Sequence, residues 1–296
     1  MSEQKHKAGF VNIVGNPNVG KSTIMNALVG ERISIITSKS QTTRHRILGI
    51  VNGEDFQIVY SDTPGVIKPN YKLQESMLKY SRSALIDADV ILYVTDVKED
   101  PDKNEDFLNS VRNTNTPVIL IINKIDLSNQ SEVEQLVISW QERFPKAEIY
   151  PTAALHKFNL ENLLNRIKDL IPESPPYFDK NALTDKPERF FVTEIIRGKI
   201  LENYRKEIPY SVEPEVEEFK EEEKIIRIMV KIHVERDSQK GIIIGHKGSS
   251  LKKVGIEARK ELEAFFDKQV HLQMFVTVTK DWRNKDLKLK SFGYEQ

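Results

Sequence analysis

Gly15-Asn16-Pro17-Asn18-Val19-Gly20-Lys21-Ser22 follows Phe10-Val11-Asn12-Ile13-Val14, a short, mostly apolar run that reads as a buried strand. After it, Ser22-Thr23-Ile24-Met25-Asn26-Ala27-Leu28 reads as the start of a helix. Strand, glycine-rich loop and helix form the setting in which G-x-x-x-x-G-K-[ST] cradles phosphate. The glycines let backbone N–H groups turn inward around phosphate oxygens, and the helix N-terminus adds a favourable dipole. Lys21 is placed to reach β and γ phosphates and Ser22 to ligate Mg²⁺, so residues 15–23, Thr23 included, are the first candidate ligand-binding stretch.

Working outward, short continuously apolar runs recur at Val90–Val94 and Val118–Ile122, as expected of strands covered on both faces. Strands are also expected at Arg46–Val51 and Phe56–Ser61, joined by the turn signal Asn52-Gly53, and near Ile149-Tyr150. Helical patterns occupy Tyr71–Leu85, Glu132–Arg143 and the stretch from Leu160 to Leu170. This alternation predicts an α/β domain over residues 1–171, with a mostly parallel sheet and helices on both faces.

Three further motifs follow the loop in order. Asp62-Thr63-Pro64-Gly65 ends a strand, where the aspartate can hold Mg²⁺ through water and the Gly65 N–H can meet a γ-phosphate. Asn123-Lys124-Ile125-Asp126 follows the most apolar strand. The Asp126 carboxylate can accept from both N1–H and the N2 amino group of guanine, an arrangement adenine lacks. Lys124 would lie along the base, Asn123 would brace the phosphate loop, and Ala153-Ala154-Leu155 offers a backbone N–H to guanine O6. Together the four motifs specify a guanine-nucleotide site.

The implied chemistry is phosphoryl transfer to water, driven by positioning and charge stabilisation. Lys21, Thr43, Asp62 and Gly65 are the candidate catalytic groups, and Ser22, Thr43 and Asp62 the candidate metal ligands. Either Thr42 or Thr43, in the polar segment Ser38–Arg44, can close over Mg²⁺ and the γ-phosphate; the sequence does not choose. A Ras-like protein places a water-orienting glutamine directly after Asp-x-x-Gly; here Val66 stands there. Slow intrinsic hydrolysis is expected, or help from another group or K⁺, with Asn16 or Asn18 as a K⁺ ligand or a simple loop brace.

The α/β pattern stops at Ile171. Pro172-Glu173-Ser174-Pro175-Pro176 opens a linker over residues 172–187. Residues 188–296 change order: a helix over Glu188–Lys206, strands near Ser211–Phe219 and Ile225–Glu235, then Gly245-His246-Lys247-Gly248 and an amphipathic helix. That helix carries Leu251, Val254, Ala258, Leu262 and Phe265 at steps of three and four. A last strand over Val270–Val278 precedes a basic tail. Gly245-His246-Lys247-Gly248 looks like the G-x-x-G loop of a KH domain. Its glycines allow close approach to phosphates, Lys247 and Lys252 add charge, and bases can lie against the apolar Ile242–Ile244 side.

Charge and composition set outer limits. The 44 basic and 44 acidic residues cancel, but Glu213–Lys224 holds seven glutamates against two lysines. From Arg236 onward thirteen Lys/Arg face eight Asp/Glu, a surplus that permits nucleic-acid binding. The absence of cysteine excludes disulfides, thiolate metal sites and cysteine nucleophiles, and disfavours a GTPase of tRNA modification. Residues Met1–Lys7 lack a secretory apolar core, and no run approaches the roughly 20 apolar residues of a membrane span. A soluble cytoplasmic protein is expected.

Taken together, the loop with its Pro-Asn, Gln41-Thr42-Thr43-Arg44-His45-Arg46, Asp62-Thr63-Pro64-Gly65, the KH-like segment and Trp282…Leu289…Phe292-Gly293-Tyr294 resemble the bacterial Era-like GTPases, over nearly the whole chain. The resemblance implies a P-loop GTPase domain followed by an α+β type II KH domain, using GTP or GDP with Mg²⁺. It also implies a partner, the 3′ end of 16S ribosomal RNA, and a role in assembling the small (30S) subunit. Some members associate peripherally with the cytoplasmic face of the inner membrane. One departure stands out: the family usually has Ser-Ala where this chain has Ala153-Ala154, so a bracing hydroxyl is lost and somewhat weaker nucleotide binding is expected. The alternative reading is a constitutive RNA-binding protein whose nucleotide domain is a structural support; intact Lys21, Ser22 and Asp62 argue against it.

Overall fold

The computed structural model describes residues 6–100 and 102–294. The chain divides into two compact units, one running to Asp185 without Tyr71–Leu73, and one made of Tyr71–Leu73 and the residues from Lys186 on.

In the first unit, β1 (Lys7–Gly15) runs parallel to both β3 (Phe56–Asp62) and β4 (Val90–Asp96). β5 (Val118–Asn123) and β6 (Glu148–Pro151) extend the parallel sheet, and β2 (Ile47–Asn52) adds antiparallel to β3. The order is β2-β3-β1-β4-β5-β6. β4 is buried along nearly its whole length, which explains why its sequence is continuously apolar rather than alternating. After β1 the chain turns first to one side of the sheet and then, through β4, to the other. The carboxyl end of β1 is therefore the switch point where ligands of such sheets sit. The helices are α1 (Lys21–Val29), α2 (Lys72–Ser83), α3 (Glu105–Arg112), α4 (Gln130–Arg143) and α5 (Leu160–Leu170). The sequence reading contains no α3: it is only eight residues long, and just three of them, Phe107, Leu108 and Val111, are buried.

Residues 173–185 do not leave this unit. The buried Gln57 side chain accepts from the Tyr177 and Phe178 N–H groups and donates to the Phe178 carbonyl. Further on, the Ile50 N–H of β2 donates to the Leu183 carbonyl at 2.8 Å, and the Asn52 amide donates to the Ala182 carbonyl. The outer edge of β2 is thereby covered.

The second unit runs α6 (Glu188–Asn203), β7 (Glu213–Glu221), β8 (Ile225–Val234), α7 (Asp237–Ile244), α8 (Ser249–Phe266) and β9 (Gln269–Val278). β7 pairs antiparallel and β9 parallel with β8, the type II KH arrangement. Its core draws Val192, Ile196 and Ile200 from α6 and Val254, Ala258 and Leu262 from α8, against the inward row of β8. α7 escapes sequence reading because Gly241 and three consecutive isoleucines are poor helix formers. The segment after β9 is not a free basic tail: α9 (Asp286–Ser291) forms, and Trp282, Leu289 and Tyr294 are buried. Trp282 Nε1 donates to the Ser211 carbonyl at 3.0 Å and the Tyr294 hydroxyl to Glu213 at 2.7 Å, so indole and phenol each bury a satisfied polar atom.

Candidate nucleotide site and nucleic-acid groove

The loop between β1 and α1 forms one wall of a cleft of about 430 Å³. Pro17, Asn18, Gly20, Lys21, Ser22 and Thr23 face Thr42, Thr43, Gly65 and Lys124 across it. Gly20 has φ +102°, and a Cβ there would stand 2.2 Å from Asn123 Nδ2, so the position admits only glycine. Lys21 is buried, and its ammonium donates to the Asn16 carbonyl at 2.8 Å. Burial pushes its pKa down to about 8, against the opposing pull of Asp62 and Glu99.

Three oxygens from three separate segments converge beside it. Ser22 Oγ donates to Asp62 Oδ2 at 2.6 Å, Thr43 Oγ1 donates to the same oxygen at 3.2 Å, and the two hydroxyls lie 3.0 Å apart. Asp62 is fully buried, burial raises its pKa, and its second oxygen, Oδ1, has no hydrogen-bond partner. An orphaned carboxylate oxygen beside two hydroxyls is a donor set suited to a hard divalent cation such as Mg²⁺. Thr42 is engaged elsewhere: its hydroxyl donates to the Lys39 carbonyl and lies 2.6 Å from Thr37 Oγ1.

Asn123, at the end of β5, ties the site together. Its Nδ2 donates to the Val19 carbonyl at 2.9 Å, while its Oδ1 accepts from Thr152 Oγ1 and from the Ala154 N–H. The Ala154 N–H, which the sequence offers to guanine O6, is thus bonded to Asn123, and Ala153 is buried beside it while Leu155 is exposed. Lys124, at φ +62°, donates to the Asn18 carbonyl and to Asp96 at 2.6 Å. Asp126 lies 3.8 Å from His156. Asp126 and residues 153–155 are not among the residues that line the cleft, whereas Ile35, Ile36, Gln41 and Leu127 are. Gln41 stands in the quoted Gln41–Arg46 stretch without a role assigned to it, and Ile35, Ile36 and Leu127 carry no motif, so sequence reading passes over them. Asp96 had a signal, since it ends β4 as Asp62 ends β3.

Asn18 and Asn16 are both bonded. The Asn18 amide donates to the Ser38 carbonyl at 3.1 Å, and Asn16 Oδ1 accepts from Asn104 at 2.6 Å. Val66 is buried in the apolar cluster under β1, β4 and β5.

In the second unit, Gly245-His246-Lys247-Gly248 joins α7 to α8 in a tight turn with φ +73°, +48° and +79° at Gly245, Lys247 and Gly248. His246, Lys247 and Lys252 are exposed at the N-terminus of an eighteen-residue helix, a placement that favours phosphate. Beside the turn opens a groove of about 370 Å³. Leu251, Gly255, Ile256 and Arg259 of α8 form one wall, and Leu272 and Met274 of β9 form the other. This differs from the expected Ile242–Ile244 side: Ile243 is fully buried in the core, Ile244 is half-buried, and neither lines the groove.

Known proteins match both halves of the chain. A family model described as "50S ribosome-binding GTPase" matches residues 10–124, and one described as "KH domain" matches residues 207–283. GTPase Era of Geotalea daltonii is 43% identical over 297 residues, covering 100% of each chain. The chain belongs to the Era family of GTPases. GTPase Era of Staphylococcus epidermidis is 40% identical over 98% of each chain. An Aquifex aeolicus Era variant, in a crystal structure bound to GDP.AlF4-, is 39% identical with a TM-score of 0.94, covering 98% of this chain and 100% of that one. A crystal structure of Era in complex with MgGDPNP and nucleotides 1506–1542 of 16S ribosomal RNA is 38% identical, with the same TM-score and coverage. Family membership makes this chain a GTPase with a C-terminal KH domain.

Proposed function

We propose that this GTPase is a guanine-nucleotide switch that grips the 3′ end of 16S ribosomal RNA through its KH groove and assists assembly of the small ribosomal subunit. The observation that carries the reading is Thr43 at Asp62 and Ser22, which brings the polar Ser38–Arg44 segment onto the candidate metal-ligand set. The RNA is chosen from the relative bound to nucleotides 1506–1542 of 16S ribosomal RNA. That full-length likeness favours the small subunit over the large one named in the description of the GTPase family model.

In this reading Lys21 and the loop amides hold the phosphates, Ser22 and Thr43 ligate Mg²⁺, and Asp62 holds it through water. When bound, Mg²⁺ neutralises charge on the β and γ phosphates. Asn123 braces the loop, Lys124 flanks the base, Asp126 reads guanine N1–H and N2, and the Ala153–Leu155 turn meets O6. Without a side chain at Val66 able to orient water, intrinsic hydrolysis is slow, and K⁺ at Asn18 is the co-activator we favour. We place the protein in the cytoplasm with its ribosomal partner. Among the described residues no helix is long and apolar enough to cross a membrane.

The test is the affinity for a short single-stranded RNA matching the 3′ end of 16S ribosomal RNA, measured with a GTP analogue, with GDP and without nucleotide. Tighter binding with the analogue supports the switch. Equal binding in all three states returns the constitutive RNA-binding reading, and no binding removes the RNA assignment.

A further inference from the structure

Asn104 sits in the loop between β4 and α3, outside every motif of the nucleotide site. It precedes the first residue of α3 with φ +56° and ψ +44°, and its side chain does not cap that helix. Instead its Nδ2 donates to two acceptors from two other segments: Asn16 Oδ1 of the phosphate loop at 2.6 Å and the Val66 carbonyl at 2.9 Å. Asn16 is itself buried, its own carbonyl takes the Lys21 ammonium, and its amide donates to the Lys103 carbonyl of the same β4–α3 loop at 3.5 Å. Val66 is buried as well, and its N–H donates to the Gly15 carbonyl at 3.1 Å. Both backbone polar groups of Val66 are therefore tied down, one by the phosphate loop and one by Asn104.

Val66 directly follows Gly65, whose N–H faces the γ-phosphate in the reading above, and its side chain cannot orient water. What this segment gives to hydrolysis must then come from where its backbone is held. We infer that Asn104 is a positioning residue for GTP hydrolysis, clamping the Gly65–Val66 backbone against Asn16 of the phosphate loop. The inference rests on the nucleotide-site reading. It adds a residue from a loop that the four sequence motifs leave out.

Two variants separate positioning from folding. Asn104→Gly keeps the left-handed backbone without strain and removes the amide. Asn104→Asp keeps the size but presents an acceptor to the Val66 carbonyl, so it cannot rebuild the clamp. Single-turnover hydrolysis at saturating GTP and Mg²⁺ should slow by about tenfold in both, the rate equivalent of one hydrogen bond. KM for GTP and the affinity for GDP should stay within about twofold of the parent, the sign of a group that acts only beyond binding. Unchanged hydrolysis in Asn104→Gly overturns the inference. So does a parallel loss of GDP affinity, which would make Asn104 a brace for the phosphate loop alone. Wild-type behaviour that binds no GTP would instead sink the nucleotide-site reading on which the inference stands.

Discussion

Thr43 Oγ1 donates to Asp62 Oδ2 across 3.2 Å, while the neighbouring Thr42 hydroxyl bonds the Lys39 carbonyl. Two adjacent threonines that are equivalent in sequence thus have different tasks. Thr43→Ala should weaken binding of a GTP analogue with Mg²⁺ by about tenfold or more, the cost of one lost metal or charged hydrogen-bond contact, and leave GDP within about threefold. Thr42→Ala should move both affinities by less than about threefold. Titration calorimetry with each nucleotide decides, and a larger effect at Thr42 would reassign the closing residue.

Base selectivity should follow Asp126. Replacing its carboxylate by the amide in Asp126→Asn puts a donor opposite guanine N1–H and N2. GTP affinity should fall by about a hundredfold, two charged hydrogen bonds' worth, while xanthosine triphosphate, with a carbonyl at C2, gains. Competition binding of the two triphosphates reads this directly. Retention of guanine preference would move recognition to another group.

The KH groove depends on a missing side chain. A Cβ at Gly255 would already stand 2.9 Å from Met274 Cε, the flexible end of its side chain. Gly255→Leu should fold, because α8 gains a better helix former, yet fill the groove and lower RNA affinity by tenfold or more. Nucleotide binding should be untouched. Fluorescence anisotropy of labelled RNA with a matched GDP titration tests both halves, and unaltered RNA affinity would place the bases elsewhere.

His233 sets a pH limit on the KH unit. Its ring is buried, lies tilted at 55° to that of Phe292 with centroids 4.9 Å apart, and bonds Glu215 and Thr279 at 2.8 Å each. Burial holds its pKa below the ordinary 6.5, despite the opposing pull of Glu215. The unfolded chain therefore binds the proton first as pH falls. Stability contributed here is present above pH 6.5 and is lost as pH drops from there toward the folded value. The slope cannot exceed about 1.4 kcal/mol per pH unit for one proton. Denaturant unfolding followed through Trp282 emission, in a Trp140→Phe background, should show this loss in the parent and a flatter profile in His233→Gln. An equal slope in both would assign the proton to another group.

Elements with their own period were legible in the sequence. β4 and β5 announce themselves as continuous apolar runs and β1 as a mostly apolar one, and the phosphate loop fixes the switch point of the sheet. What escaped depends on pairing between distant segments. No local pattern distinguishes Thr43 from Thr42, because the difference lies in what Asp62 can reach. The α8/β9 groove was not legible for a related reason: only the fold sets Leu251 and Gly255 against Met274. The helical stripe Leu251–Phe265 read as one apolar face; Val254, Ala258 and Leu262 enter the core while Phe265 is 44% exposed. α3 and α7 were missed because each is short and lacks the periodic length that sequence reading needs.

The stretch from Tyr177 to Asp185 also decides where this protein can be cut. A fragment ended at Ile171, where the α/β pattern stops, would strip the cover from β2 and leave Gln57 without the chain it holds. The result is a bare strand edge beside a buried amide, a template on which a second copy can add its own strand. A fragment carried through Asp185 keeps that edge occupied. The two should differ first in colloidal behaviour, the shorter one clumping at concentrations where the longer stays monodisperse.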